Sequence, residues 1–404
     1  MRALPEDPMI RRLIQQARAS HLSRRTLLSA TTAGAAALAL AACSPAGGAK
    51  TLQAAKDKSA TVKSMTWANW ALYLDQADDK SYPTLDAFEK KTGIKVKYDV
   101  AIDDNNSYYA KVKGQLALGQ DIGADTACLT DWMVSKWIAL GYTQELDLSK
   151  IPNIKNLTPA LKNVDFDPGR HHSVPWQSGF AGLCWNKEKL PKGLKQVSDL
   201  WDPALKGRIG VLSEMRDTIG VLMLEQGVDI SAKSWGDKEF NAANDEFKKY
   251  IDNGQIRNVK GNSYADDLKN EDTLAAIVWS GDVEGINAGI GKEKFAFVLP
   301  ETGGTLWSDN FLIPIGSSQK ANAEELINYY YEPEVAATVA AYVNYITPVQ
   351  GAKEAMAKID KTMVDDQLIF PSAETLKNAK VFRTLTNAED ARYNSAFQSV
   401  ILGA

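Results

Sequence analysis

The chain has 404 residues, 45% hydrophobic and 24% charged, with 46 Lys+Arg against 50 Asp+Glu and a formal charge of −4. This composition excludes a disordered, fibrous or disulfide-dense protein, leaves room for two ordinary domains or one large α/β unit, and lacks the basic excess that neutralises nucleic-acid phosphates. The charge is uneven, because Met1 to Ala42 carry six Arg, no Lys and two acids, a net of +4 that leaves −8 for Cys43 to Ala404.

The first element is an export signal. Ser23-Arg24-Arg25-Thr26-Leu27-Leu28 sets paired arginines before an uncharged, Ala-rich run from Leu27 to Ala42. A positive segment, an apolar segment and small residues in that order form a bacterial export leader, and the arginine pair resembles the twin-arginine type. At 16 residues the apolar run is shorter than the ~20 a spanning helix needs. Leu40-Ala41-Ala42-Cys43 resembles a lipoprotein cleavage box, which makes Cys43 the expected lipid anchor and residues 43–63 a flexible tether. Cys128 and Cys184 sit in apolar stretches, where pairing in an oxidising compartment and burial as free thiols are both open.

Beyond Lys63, short extended runs alternate with helical ones. Ser64 to Trp70 reads as a strand, Tyr82 to Thr92 as a helix stopped by Gly93, and Ile94 to Val100 as an alternating strand. Ser107 to Leu118 carries Tyr108, Val112 and Leu116 at helical spacing; Thr126 to Leu129 is a short strand, and Asp131 is placed to cap the helix after it. A central extended passage from Ser173 to Trp185 leads to a second set. Its strands are predicted at Arg208 to Leu212, Ala275 to Trp279 and Lys294 to Leu299, and its helices at Asp217 to Gln226 and Lys238 to Asp252. Phe311 to Pro314 begins a return, followed by helices over Ala323 to Tyr331 and Glu334 to Tyr342. The β-α-β-α order favours a largely parallel sheet covered on both faces, and two α/β lobes with more than one crossing fit better than one continuous sheet.

Common catalytic signatures are missing. His171 and His172 are adjacent in a loop without nearby ligand partners, and no nucleotide loop, dinucleotide fingerprint or G-x-S-x-G elbow is present. No cofactor, metal or enzymatic activity is therefore expected. In α/β sheets ligands bind beyond the carboxyl ends of strands. There the chain places Asp131, Glu214 with Asp217, and Asp282, while Asp309 lies between Trp307 and Phe311. Taken singly, an acid after a strand is a helix cap or a solvated charge, and a lone Trp is core. The repeated pairing of acids with indoles suits a flexible cation, since carboxylates bind ammonium groups and aromatic faces cover methylenes.

At these residues the sequence resembles the spermidine/putrescine-binding proteins, the extracytoplasmic components of polyamine ATP-binding-cassette importers. The markers are Asn69-Trp70 with Tyr73; Phe88 to Val96; Ser173-Val174-Pro175-Trp176 with Gly179; Trp201-Asp202-Pro203; Trp279-Ser280-Gly281-Asp282; Trp307 with Asp309; and Tyr345 with Thr347-Pro348. The resemblance implies a type II periplasmic-binding-protein-like fold, α/β with two lobes that close on a cleft. It implies ligand contacts from Trp70, Tyr73, Thr130, Asp131, Trp132, Glu214, Asp217, Trp279, Asp282, Trp307, Asp309 and Tyr345. Ala71, Leu72 and Phe382 depart from the polar residues of spermidine-type members, which leaves ligand length open.

The resulting expectation is a monomeric, lipid-anchored, extracytoplasmic polyamine-binding protein that delivers its solute to permease and separate ATPase subunits, with no nucleic-acid partner. Residues 1–42 form the leader, 64–179 with 306–352 one lobe, and 180–305 with 353–404 the other. Arg208 and Arg216 keep open a zwitterionic solute such as an amino acid or opine, and Glu214 with Asp217 an exported two-carboxylate hydrolase.

Overall fold

The computed structural model describes residues 52–403, so the expected leader and Cys43 lie outside the described residues. Its first half begins with β1 (Ser64–Trp70), β2 (Lys95–Ile102) and β3 (Thr126–Thr130), with β1 parallel to both neighbours. The connecting helices Pro83–Thr92 and Asn105–Ala117 follow the predicted pattern. The first starts at a proline and stops at Gly93, whose φ of 73° is the left-handed cap conformation that glycine adopts without strain. A short hairpin, β4 (Asn163–Val164) with β5 (Asp167–Pro168), precedes β6 (Ser173–Asn186).

The second half contains β7 (Ile209–Leu212), β8 (Ile256–Lys260), β9 (Ala275–Trp279) and β10 (Phe295–Val298), followed by β11 (Gly304–Leu312) and the short β12 (Ala379–Lys380). The sheet order is β2-β1-β3-β11-β6-β9-β7-β8. Its two ends are parallel, as expected of β-α-β units, but β6 and β11 cross between them as an antiparallel pair. The parallel expectation therefore fails in the middle. There β3 pairs with Asp309 to Leu312 of β11, while β9 pairs with Ala181 to Trp185 of β6.

The register of the crossing pair slips where Asp309 faces Gln177 and Asn310 faces Pro175. Pro175 has no N–H to give to a ladder, so the extra residue, Trp176, is accommodated as a bulge in β6. Trp176 packs into the first half's core against Trp67, Phe311 and Tyr330. The second half is closed by the C-terminal helix Asn387–Leu402, whose Tyr393 stacks on Phe240 and whose Phe397 stacks on Phe247.

Three expectations change. The segment read as a tether as far as Lys63 is seated on the body: Ala55 N donates to Ile315 O and Lys58 N to Ser318 O. Ser59 Oγ also accepts from Asn322 N, one of the first-turn donors that a helix cannot satisfy itself. The return strand starts at Gly304, seven residues before Phe311. Asp131 does not cap its helix, Asp131–Ala139; it is the first helical residue, and its Oδ1 accepts from Asn310 Nδ2 across on β11. Cys128 and Cys184 are both buried free thiols, on β3 and β6. Among the described residues no helix is long and apolar enough to cross a membrane.

Candidate functional site

Between the two halves of the sheet lies a cavity of about 310 Å³, and all twelve residues expected to contact a ligand line it. Its aromatic wall is a chain of edge contacts running from Trp70 to Trp279, Trp307, Tyr345 and Tyr73, with ring centres 5.2–6.5 Å apart. Gly179 makes room for this wall, since a Cβ there would lie 2.5 Å from the Trp307 ring and 2.7 Å from that of Tyr345. Trp70 is fixed by its indole N–H, which donates to the Cys128 carbonyl at 3.0 Å.

The acids differ in how far the protein itself uses them. Asp217 is fully engaged, with Trp279 Nε1 on Oδ2 at 2.9 Å and Thr305 Oγ1 on Oδ1 at 2.6 Å. So is Asp282, which accepts from Asn262 and Tyr264 on Oδ2 and from Tyr345 on Oδ1, each at 2.7–2.8 Å. Asp282 braces the aromatic wall. Glu214 stands at the N-terminus of helix Met215–Glu225, but its Oε1 reaches across the cavity to Asn105, accepting from both its backbone N and its Nδ2 at 2.8 Å. The first turn of helix Asn105–Ala117 thus directs an unpaired N–H at a carboxylate from the other half. Asn105 Nδ2 also donates to Thr130 Oγ1, which explains how Thr130 joins the site.

Asp309 sits at the β6–β11 bulge. Tyr73 Oη donates to its Oδ2 at 3.0 Å, whereas its buried Oδ1 has no hydrogen-bond partner among the described residues. Glu214 Oε2 likewise accepts nothing from the described residues. Burial pushes Asp309 up to about 7, helped by the Asp131 and Asp217 carboxylates, and pushes Asp131 up to about 6. Burial, and after it the neighbouring Asp104, holds Glu214 well above the ordinary carboxylate range. Seven acids line the cavity (Asp131, Asp165, Glu214, Asp217, Asp282, Asp309 and Asp390) against three cations, Lys136, Arg216 and Arg383. An aromatic chamber with that excess attracts positive charge.

The family model of the bacterial extracellular solute-binding proteins matches residues 83–370. The chain belongs to that family. Among similar solute-binding proteins, the spermidine/putrescine-binding periplasmic protein 1 of Haemophilus influenzae is 30% identical over 340 residues, 82% of this chain and 90% of its relative. The spermidine/putrescine-binding periplasmic protein of Escherichia coli K12 is 28% identical over 336 residues, 83% of this chain and 90% of its own. A putative spermidine/putrescine transporter structure from Listeria monocytogenes superimposes with a TM-score of 0.72 at 27% identity, covering 85% of this chain and all of that one. The two-lobed type II fold of such proteins accounts for the sheet that runs through two crossing strands. As a solute-binding protein of this family the chain acts outside the cytoplasm.

Several residues that shape the site escaped the sequence reading. Asn105 follows β2, so the strand-end rule applied there would have found it. Asn262 and Tyr264 follow β8, a strand hidden by Arg257, Asn258 and Lys260. Asp390 comes from the final helix, far from any strand end, and nothing in the sequence signals it. Of the two arginines kept open for a carboxylate, Arg208 instead donates to the carbonyls of Glu271 and Asp272, and only Arg216 lines the cavity.

Proposed function

We propose that this protein captures a polyamine of the putrescine/spermidine class and presents it to the permease of an importer whose ATPase subunits are separate chains. The observation that carries this reading is that cavity carboxylates, Asp309, Glu214 and Asp131 among them, each keep an oxygen free of hydrogen bonds to the described residues inside an aromatic, acid-rich cavity. Each free oxygen receives an ammonium group, and Trp70, Tyr73, Trp279, Trp307 and Tyr345 cover the methylenes between them. Asp217 and Asp282 contribute charge while holding indole and phenol groups in place. A zwitterionic solute is less well served, because it would bring a carboxylate among seven acids. Hydrolysis lacks support as well, since Asp217 has both oxygens committed to hydrogen bonds.

In this reading residues 64–179 with 306–352 and residues 180–305 with 353–404 move as lobes about β6 and β11, and Cys43 carries the lipid that holds the body at the membrane. The loop Asp103 to Asn105 supports the closed geometry. Asp103 accepts from the backbone of Asn262 and Ser263, and Asp104 from Ser213 Oγ, all from the opposite half. Titration calorimetry with putrescine and spermidine tests the assignment. Glu214→Gln is expected to lower amine affinity roughly 10- to 100-fold, the loss of one charge-assisted hydrogen bond. Wild-type affinity in that variant removes Glu214 from the site.

A further inference from the structure

Arg170, just before β6, is buried outside the cavity lining, and its guanidinium forms no salt bridge among the described residues. Its Nε donates to the Leu161 carbonyl at 2.7 Å, and Nη1 donates to Asn310 Oδ1 at 2.9 Å and to Ser173 Oγ at 3.3 Å, while buried Nη2 has no partner among the described residues. Asp167, the acid nearest in the chain, spends its oxygens on the backbone N–H groups of His171 and His172 and on the Ser173 hydroxyl. The backbone turns left-handed to set the arginine there, with φ of 80° at Gly169 and 59° at Arg170. A non-glycine residue holds that conformation only where its surroundings specify it, and a buried charge without an ion-pair partner is costly. Packing alone does not account for this arginine.

Its contact with Asn310 on β11 supplies the reason. A guanidinium only donates, so the bond to Oδ1 fixes which way the Asn310 amide faces. Asn310 Nδ2 is thereby given to Asp131 Oδ1 at 2.6 Å, and Asp131 Oδ2, in the cavity lining, accepts nothing from the described residues. We propose that Arg170 is a positioning residue for the ligand: through Asn310 it keeps Asp131 a carboxylate and leaves Oδ2 as an ammonium acceptor in the cavity. The inference rests on the polyamine reading above. Burial raises the Asp131 carboxyl, whereas the Asn310 bond and then the Arg170 charge oppose that rise. Asp309, whose β11 position pairs with Thr130, adds a like charge nearby. Of the cations in the cavity lining, Lys136 and Arg216 pair with Asp390 and Arg383 with Glu389. Without the guanidinium the Asn310 amide is free to turn its oxygen to Asp131, and that oxygen accepts only from a protonated acid.

Calorimetry with putrescine and spermidine, repeated in buffers of different ionisation enthalpy, counts the protons released per amine bound and tests this on the wild type, Arg170→Met, Arg170→Lys, Asp131→Asn and Arg170→Met/Asp131→Asn. At pH 7 Arg170→Met is expected to bind amine about tenfold more weakly and to release more protons than the wild type, because Asp131 must then lose its proton to accept the ammonium. The affinity gap should narrow as pH rises toward 9, and Arg170→Lys, which keeps a charged donor, should restore the wild-type proton count. In the Asp131→Asn background, Arg170→Met should leave proton release unchanged. Only folded protein binds, so the proton count per amine is insensitive to protein lost through destabilisation. Weaker binding by Arg170→Met with wild-type proton release and pH profile, or the same extra release with Asn at 131, reduces Arg170 to scaffold and overturns the inference. Unchanged binding by Arg170→Met overturns it too, and both results leave the polyamine reading intact. A wild type that binds neither amine removes both.

Discussion

Replacing Asp309 by Asn should stabilise the ligand-free protein at pH 8 and weaken amine binding under the same conditions. The carboxyl is pushed from 3.8 to about 7, chiefly by burial. A folded pKa above the unfolded one means that the stability tied to this group is fully present below about pH 3.8 and is lost as pH rises through about 7. Three units correspond to about 4 kcal/mol of destabilisation at pH 8. Asn carries no charge, and Tyr73 can still donate to its amide oxygen, but the amide NH₂ then points where Oδ1 has no partner, at a cost of about 1–3 kcal/mol. The balance at pH 8 is a gain of about 2 kcal/mol. Near pH 4 the gain vanishes and the unpartnered amide remains, so the variant becomes the less stable of the two. Thermal denaturation of both ligand-free proteins between pH 4 and 8 reads this crossing. Calorimetry at pH 8 should show amine affinity roughly 10- to 100-fold weaker, whereas wild-type affinity itself should fall as pH drops below about 7. An Asp309→Asn variant less stable than wild type at pH 8, or a stability difference that ignores pH, would refute the reasoning.

Gly261 allows the lobes to meet, since a Cβ there would lie 1.7 Å from the Asp103 carbonyl oxygen. Gly261→Ala is expected to lower amine affinity by about tenfold or more by opposing closure, with little change in ligand-free melting temperature; wild-type affinity would show that the loop yields freely. Tyr345→Phe leaves Asp282 Oδ1 without its phenol donor and should cost about 1–3 kcal/mol in urea denaturation. An unchanged midpoint would mean that Asn262 and Tyr264 hold Asp282 unaided.

The elements that sequence periodicity marked well are those with one apolar set. The helix Asp237–Asp252 buries Phe240 and Phe247 as its spacing demands, and β9 is an unbroken buried run. The site was legible to the same depth: an acid beyond a strand end could be named because chain order alone puts it near the cleft. What chain order does not carry is how each carboxylate is spent. Asp217 and Asp309 look alike in sequence, yet one has both oxygens bonded and the other keeps Oδ1 free, a difference made by Thr305 and Trp279 arriving from distant strands. Arg216 was weighed as a partner for a ligand carboxylate, whereas its contacts are with Trp132 and with Asp390, 174 residues away in the chain. Residues 52–63 read as polar linker because their seating uses backbone groups and Ser59, which leave no hydrophobic pattern to detect.

With the lipid proposed at Cys43, that seating would also limit how far the body can stand from a bilayer. Twelve residues lead from Cys43 to Ala55, the first described residue hydrogen-bonded to the body through its backbone, and even fully extended they span only about 40 Å. With a lipid at Cys43, the protein sweeps a layer about one domain deep, and its search for a transporter becomes a lateral walk in two dimensions. Solute reaches such a protein only by diffusing into that layer, so the number of anchored copies per unit of membrane, more than their concentration in the surrounding volume, sets the rate of delivery.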